Sequence, residues 1–333
     1  MDCTQTGLER NRALLLGHFS TVGDIQCLHL VERRVRRAGI PYDIAAFESD
    51  VRGAIPGAIS PESANPELYS HLIIICGPYW PAFLNDRNFD IGRYQHCKRI
   101  GINLTMIKPL AEWNPFDVLL ERDSENAVRP DLTFLAPNER LPVLGRCLVR
   151  GQEEYGDRQR HNSVISIIEN VIEQRGFPVI DVDTRWPKRC NTTKLPSPAA
   201  VSSLISRTDV LLTNRLHGLV FALRNGVPAL AIDAVAGGDK VTAQARVLGW
   251  PICLQADHMT PEAMHAALDW CLSGEARAKA QRSSKTAVKL LRNMDREIAN
   301  SLNYECRRTK CRSTIIDLMK FGSGKLLRHS NLR

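Results

Sequence analysis

The sequence of 333 residues has no apolar run long enough to cross a membrane. Its densest apolar stretch, Leu72 to Cys76, is far shorter than the roughly 20 residues that a spanning helix needs. No apolar segment follows a basic start, so a secretory signal is not predicted. Aromatic residues are only 6% of the chain and do not alternate with basic ones, which argues against a nucleic-acid partner. We therefore expect a soluble, cytoplasmic protein.

Paired cysteine motifs and metal-ligand clusters are also missing. The ten cysteines include no CxxC pair, and no His/Asp/Glu cluster has the spacing of metal ligands. Half of the cysteines lie in apolar segments, where a free thiol behaves as a small hydrophobic group: Cys27, Cys76, Cys147, Cys253 and Cys271. We predict reduced cysteines, no metal and no cofactor.

Positive charge is concentrated at one end of the chain. The net charge is +8, and residues Cys306 to Arg333 contain eight basic residues and one acid, Asp317. One interpretation is a solvated terminus, and the other is a patch that contacts an anionic membrane surface peripherally. The pI near 9 therefore describes this tail and not a basic globule.

Short apolar runs alternate with helical patterns along the whole chain, which predicts an α/β fold with parallel sheets. A polar, proline-containing stretch near residues 137–141 divides the pattern. We predict two doubly wound, Rossmann-like domains facing a central cleft, over residues 1–138 and 139–305, and a basic tail over 306–333. Ligands bind such sheets at the carboxyl ends of strands, here after Leu16, Cys76 and Thr213.

The most informative motif follows the apolar strand Asp209 to Thr213. It reads Asn214-Arg215-Leu216-His217-Gly218 and runs directly into a helix. A guanidinium, an imidazole and free backbone N–H groups at a helix N-terminus form an anion site. Lys240 follows the next strand after a glycine-containing loop and is a further cation for the same anion. Residue chemistry alone predicts a phosphate- or carboxylate-binding enzyme site.

This motif resembles the signature of the polysaccharide pyruvyl transferase family over Pro198 to Gly249. In that family an Asn-Arg-Leu-His-Gly block precedes a helix, a Gly-Val-Pro turn, a strand and a lysine. Weaker similarity covers Gly23-Asp24, the segment Leu120 to Ser124 with its Arg122, and Arg129-Pro130-Asp131. The family's fold resembles the two-domain GT-B glycosyltransferase architecture, which agrees with the alternation described above.

The resemblance implies transfer of a pyruvyl group from phosphoenolpyruvate to a sugar of a polysaccharide, exopolysaccharide or cell-wall glycan precursor, giving a pyruvate ketal and phosphate. The donor would bind the C-terminal domain, and the acceptor, free or lipid-linked, would bind the N-terminal domain. The implied catalytic residues are His217, Arg215 and Asp24. For Asp24 the alternative is a helix N-cap. The implied substrate-binding residues are Asn214, Leu216, Gly218, Lys240, Arg122 and Gly23.

Two other functions remain open at this stage. A glycosyltransferase with a nucleotide-sugar donor would use the same scaffold and needs an acidic residue to bind the ribose, for which Asp233 is available. A non-catalytic scaffold protein of exopolysaccharide assembly would bind ligands without turnover. The compact Arg215 to Gly218 block favours a small, doubly anionic donor over a nucleotide.

Overall fold

The structure is a computed structural model that describes residues 11–82, 87, 89–123 and 129–302. The chain divides into two compact units between Glu139 and Arg140, next to the boundary that we predicted after residue 138. The predicted basic tail, 306–333, lies outside the described residues.

Unit 1 is built on a parallel sheet of five strands in the order β2-β1-β3-β5-β7. Its elements are β1 (Ala13–Gly17), α1 (Val22–Arg37), β2 (Tyr42–Ala46), α2 (Ser49–Ala54), β3 (His71–Ile75), β4 (Pro78–Tyr79), β5 (Lys98–Ile102), β6 (Thr105–Met106) and β7 (Val118–Leu120). The short strands β4 and β6 pair separately. Every residue of β1 is buried, as expected for a central strand covered on both faces.

Unit 2 repeats this plan, with a second parallel sheet in the order β12-β11-β10-β8-β9. Its elements are β8 (Leu144–Cys147), α3 (His161–Arg175), β9 (Val179–Asp181), α4 (Pro198–Ile205), β10 (Val210–Thr213), α5 (Leu216–Arg224), β11 (Ala229–Asp233), α6 (Lys240–Val247), β12 (Cys253–Gln255), α7 (Pro261–Cys271) and α8 (Gly274–Leu302). When each unit's five strands are counted in chain order, both sheets read 2-1-3-4-5. The predicted fold class, two Rossmann-like α/β domains, is thereby confirmed.

The sequence pattern explains which helix faces are buried. In α1 the buried residues are Cys27, Leu28, Val31 and Val35, at the spacing of one helical face. In α8 the buried residues are Ala276, Ala280 and Ser283, all in its first half. No helix in the described part of the chain is long and apolar enough to span a bilayer.

The apolar run over residues 100–107 is not one continuous strand. The chain forms β5 and β6 there, with a break at Asn103. Asn103 has a φ of 57°, in the left-handed region that a strand cannot accommodate. Its carboxamide accepts a hydrogen bond from the Leu132 N–H (3.0 Å) and donates one to Asp131 (3.1 Å). These contacts hold Asn103 between β5 and β6, while its N–H still donates to the Leu120 carbonyl of β7 (2.8 Å).

Candidate functional site

In both sheets the strand order reverses beside the first strand, and ligands of such folds bind at this point, at the carboxyl ends of the strands. In unit 1 the reversal lies between β1 and β3, and in unit 2 between β8 and β10. The predicted motif residues 214–218 follow β10 directly. The topology therefore places the motif at the edge where a ligand would bind.

Glycine at position 218 is required by packing. A Cβ atom there would overlap the Thr213 hydroxyl and lie 2.9 Å from the Thr213 Cβ. That hydroxyl donates to the Cys147 carbonyl (2.8 Å) and accepts from the Arg215 N–H (3.0 Å). Gly218 thus lets α5 start directly against β10, which sets the position of Arg215 and His217.

Asn214 is buried and positions the loop after β8. Its carboxamide oxygen accepts from the Val149 N–H and its nitrogen donates to the Val149 carbonyl, both at 2.8 Å. This reciprocal pair binds Asn214 to the neighbouring strand end. Asn214, a predicted substrate-binding residue, therefore positions this loop in the structure.

Four of the predicted residues, Arg215, Leu216, His217 and Lys240, line one cavity of about 210 Å³ together with Val149 and Gln152. Arg215 is the residue before α5, and Lys240 is the first residue of α6. His217 is exposed and its ring lies 6.2 Å from that of Phe221. This cavity therefore combines three side chains that can carry positive charge.

Carboxylates lie near two of these groups. A guanidinium nitrogen of Arg215 is 3.7 Å from Asp183, and the Lys240 ammonium is 3.8 Å from Glu154. Lys240 also lies 5.3 Å from the centre of the Tyr155 ring. These separations exceed a normal hydrogen bond, so both cations retain donors for an anion.

Asp233, the residue that a nucleotide-sugar donor would need, is fully buried at the end of β11. Its carboxylate accepts from the N–H groups of Asp239 (2.7 Å), Thr242 (2.9 Å) and Val235 (3.3 Å). These bonds fix the loop that ends at Lys240. The structure thus uses Asp233 to position Lys240.

The remaining predicted residues lie in unit 1. Gly23, Asp24 and Arg122 line a cavity of about 350 Å³ at the carboxyl ends of β1 and β3. Arg122 forms ion pairs with Asp131 and with Asp123, the latter at 3.1 Å. Burial alone would raise the pKa of Asp131, but hydrogen bonds from Thr133 and Asn103 and the Arg122 charge lower it to about 2. The guanidinium is therefore engaged by fixed carboxylates.

Asp24 takes part in a capping box at the start of α1. The Thr21 side chain accepts from the Asp24 N–H (3.2 Å), and the Asp24 carboxylate accepts from the Thr21 N–H (3.1 Å). The N-cap is thus Thr21, and Asp24 is its partner three residues later. This assigns Asp24 a structural contact, and Asp24 also lines the cavity of unit 1.

Sequence reasoning missed the loop that follows β9. Asp183 accepts from the backbone N–H and side chain of Arg185, both at 2.9 Å, and from the N–H and hydroxyl of Thr192. Burial opposes its ionisation, but these bonds hold the pKa of Asp183 well below its usual range. The loop follows the carboxyl end of β9, and that position could have identified it as part of a candidate site.

Among the described residues, no group of three or more His, Cys, Asp or Glu side chains could hold a metal ion. The described cysteines are free thiols, and Cys27, Cys76, Cys147 and Cys271 are buried. Cys97, which was not among the five cysteines assigned to apolar segments, is buried as well.

A family model described as polysaccharide pyruvyl transferase matches residues 120–234, which confirms the resemblance over that range. The match includes Arg122 and the motif 214–218, and ends before Lys240. No curated protein matches the chain in sequence.

Several solved glycosyltransferase structures are similar to the chain at low identity. The calicheamicin glycosyltransferase is 14% identical, with 89% of this chain and 100% of that chain covered and a TM-score of 0.34. The spinosyn rhamnosyltransferase in complex with spinosyn aglycone is 12% identical, with 85% and 99% covered and a TM-score of 0.33. The UDP-GlcNAc 2-epimerase from Methanocaldococcus jannaschii is 11% identical, with 84% and 99% covered and a TM-score of 0.29.

Proposed function

Because residues 120–234 match the polysaccharide pyruvyl transferase family, we propose that this chain transfers a pyruvyl group from phosphoenolpyruvate to a sugar acceptor, forming a ketal and releasing phosphate. The observation that carries the proposal is the single cavity lined by Arg215, His217 and Lys240. Phosphoenolpyruvate carries a phosphate and a carboxylate on the same carbon, C2, so its site needs several donors close together. The cavity volume of about 210 Å³ suits a donor of this size.

Arg215 and Lys240 would bind the two anionic groups. A guanidinium presents paired donors that match a carboxylate or phosphate, and an ammonium acts as a point charge. Backbone N–H groups at the start of α5 add donors, and the helix dipole favours an anion there. Both side chains are partly exposed, at 21% and 38%, so a ligand can reach them.

The reaction must also move protons. A proton is added to C3 of the donor, C2 gains cationic character, and two sugar hydroxyls form bonds to C2. The C2–O bond to phosphate breaks. One of the two hydroxyl protons balances the proton added to C3, and the other leaves with phosphate. We assign proton transfer to His217, because an imidazole both donates and accepts near neutral pH. Asp24 is the proposed base on the acceptor side, in unit 1.

The nucleotide-sugar alternative gains no support from the arrangement. Asp233 is fully buried, and its carboxylate is used by backbone N–H groups of its own loop. The acidic residue that would bind a ribose is thus engaged elsewhere. This favours the smaller donor.

The proposal is tested by titrating phosphoenolpyruvate into the full chain by calorimetry. We expect Lys240→Met to weaken binding about tenfold or more, because a charged hydrogen bond contributes roughly 1.5–3 kcal/mol. Lys285→Met, an exposed lysine of α8, is the matched control and should leave affinity unchanged. Equal affinities for the two variants would contradict the proposed site.

A further inference from the structure

Two cysteines of unit 1 lie together at the wall of its cavity. Cys27 belongs to α1 and Cys76 directly follows β3, and both line the cavity of about 350 Å³ that Asp24 also lines. Both residues are free thiols. The proposed function uses neither of them, so their proximity needs another account.

One fixed side chain lies against both sulfurs. The carboxamide nitrogen of Asn103 is 3.4 Å from the Cys27 sulfur and 3.4 Å from the Cys76 sulfur. The same nitrogen donates to Asp131 (3.1 Å), and the carboxamide oxygen accepts from the Leu132 N–H (3.0 Å). Because Asn103 is bonded on both sides, it holds the two sulfurs within a short distance of each other.

The turn after β3 contributes to this placement. Cys76 has a φ of 62° and Gly77 a φ of 92°. A residue other than glycine is uncommon in the left-handed region, and the surrounding structure must compensate the strain. Cys76 is 7% exposed and packs in one buried cluster with Cys27 and Leu28 of α1. The turn therefore directs the Cys76 side chain toward α1.

The contact makes the two thiols chemically different. A hydrogen bond with Cys76 lowers the pKa of the Cys27 thiol, against burial and the charges of Asp131 and Asp24, and the Arg122 charge lowers it further. The same contact and burial raise the pKa of the Cys76 thiol. Cys27 is therefore the sulfur that forms a thiolate first, and the thiolate is the reactive form.

We propose that Cys27 and Cys76 form an oxidative modification site, at which a hydroperoxide converts the two thiols into a disulfide. Cys27 first gives up its proton, and its sulfur attacks one peroxide oxygen. The O–O bond breaks, Cys27 becomes a sulfenic acid, and the other oxygen takes up the proton and leaves as water or an alcohol.

The second step consumes the Cys76 thiol. Its sulfur attacks the sulfenic sulfur of Cys27, the S–S bond forms, the S–O bond breaks, and water leaves with the thiol proton. The two cysteines together lose two electrons, and the hydroperoxide gains them. Hydrogen peroxide is small enough to enter the cavity that both residues line.

The disulfide would link α1 to the turn after β3. It would thus alter the cavity that Asp24 lines and leave the donor cavity of unit 2 as it is. An effect of oxidation on turnover rests on the proposed function, whereas formation of the disulfide does not.

The test is peptide mapping by mass spectrometry after the reduced full chain has been treated with hydrogen peroxide, denatured and alkylated. We expect a linked Cys27–Cys76 peptide, loss of both free thiols, and their return after dithiothreitol. Cys97 is the internal control, because it is 3% exposed and its thiol donates to the Tyr69 carbonyl (3.1 Å). It should remain a free thiol.

The matched variants are Cys27→Ala, Cys76→Ala and Cys97→Ala. The first two should abolish the linked peptide, and the third should retain it. The wild-type map stands on its own if a variant fails to fold. Oxidation of the exposed Cys190 while Cys27 and Cys76 stay free would overturn the proposal, and so would a bond from either residue to a different cysteine.

Phosphoenolpyruvate titrations of the reduced and oxidised chain separate the two proposals. We expect equal affinities, because the donor cavity lies in unit 2. A Cys27–Cys76 disulfide in a chain that does not bind phosphoenolpyruvate when reduced would refute the proposed function and leave the modification site standing. Phosphoenolpyruvate binding by a chain that forms no such disulfide would do the reverse.

Discussion

The two units share one strand order but differ in the charge that they present where that order reverses. In unit 1 the guanidinium of Arg122 is paired with Asp131 and Asp123. In unit 2 Arg215 and Lys240 stand 3.7 and 3.8 Å from their nearest carboxylates. The same scaffold therefore offers an arginine closely paired with carboxylates in one unit, and in the other a cationic edge whose longer ion pairs leave donors free. Side chains at the strand ends, and not the fold, determine which edge can bind an anion.

The largest effect is expected when a methyl group is added near the start of one helix in each unit, α5 in unit 2 and α1 in unit 1. Gly218→Ala should destabilise unit 2 by about 3 kcal/mol, because the new Cβ overlaps the Thr213 hydroxyl and overpacking is costly. Gly23→Ala is the control, since its Cβ would meet nothing closer than 3.7 Å. Hydrogen–deuterium exchange measures the stability of each unit. Similar effects of the two substitutions would show that packing at position 218 is not the constraint.

The second comparison uses one buried asparagine from each unit, Asn214 and Asn103. Asn214→Ala leaves the Val149 N–H and carbonyl without their partner, and we expect a loss of about 2 kcal/mol in unit 2. It should also weaken phosphoenolpyruvate binding about tenfold, because the loop after β8 is released. Asn103→Ala should destabilise unit 1 by a similar amount without changing that affinity. If Asn103→Ala changed the affinity for phosphoenolpyruvate and Asn214→Ala did not, the donor would have to bind unit 1.

Acid sensitivity should reveal one buried histidine of unit 2. His161 of unit 2 is 3% exposed, and neither ring nitrogen has a hydrogen-bond partner among the described residues. Burial and the Lys240 charge lower its pKa, against the opposing charges of Asp233 and Glu154. Below a pH of about 6.5, the unfolded chain therefore protonates His161 more readily than the folded chain does. Stability falls as the pH drops through that range.

His161→Leu should remove about 1 kcal/mol of this acid sensitivity between pH 7 and pH 5. Denaturant unfolding at several pH values measures it. An unchanged pH dependence in His161→Leu would mean that other groups cause it.

The smallest effect is expected at the capping box of unit 1. Asp24→Ala should cost unit 1 about 1 kcal/mol, because the bond from the Thr21 N–H is lost. Asp24→Asn keeps an oxygen for that bond and should restore stability. If Asp24 is also the acceptor-side base, Asp24→Asn will abolish turnover while remaining as stable as wild type. Full turnover by Asp24→Asn would leave Asp24 with its capping role alone.

Much of the fold was predictable because it depends on local patterns. Buried strands such as β1 and β10 are continuous apolar runs, and α1 shows its apolar face at helical spacing. The cluster of Arg215, His217 and Lys240 was predictable as well, since each follows the carboxyl end of one of two adjacent parallel strands.

The loop after β9 was not predictable, because tertiary hydrogen bonds build it. Asp183 and Asn191 are ordinary polar loop residues in the sequence, and only the folded chain buries them and places Thr192 beside Arg215. Asn103 interrupts a strand for a similar reason, since its partners Asp131 and Leu132 are far along the chain. Local patterns predict elements, whereas buried polar contacts between distant residues do not appear in them.

The central claim is that the cationic edge of unit 2 takes a small, doubly anionic donor. The most direct test is a calorimetric titration of wild type and Arg215→Ala with phosphoenolpyruvate and, separately, with UDP-glucose and GDP-mannose. Arg207→Ala, an exposed arginine of the same unit, is the control. We predict that wild type and the control bind phosphoenolpyruvate in preference to either nucleotide sugar, and that Arg215→Ala loses this binding. Preferential binding of a nucleotide sugar by wild type, or phosphoenolpyruvate binding that survives Arg215→Ala, would contradict the account.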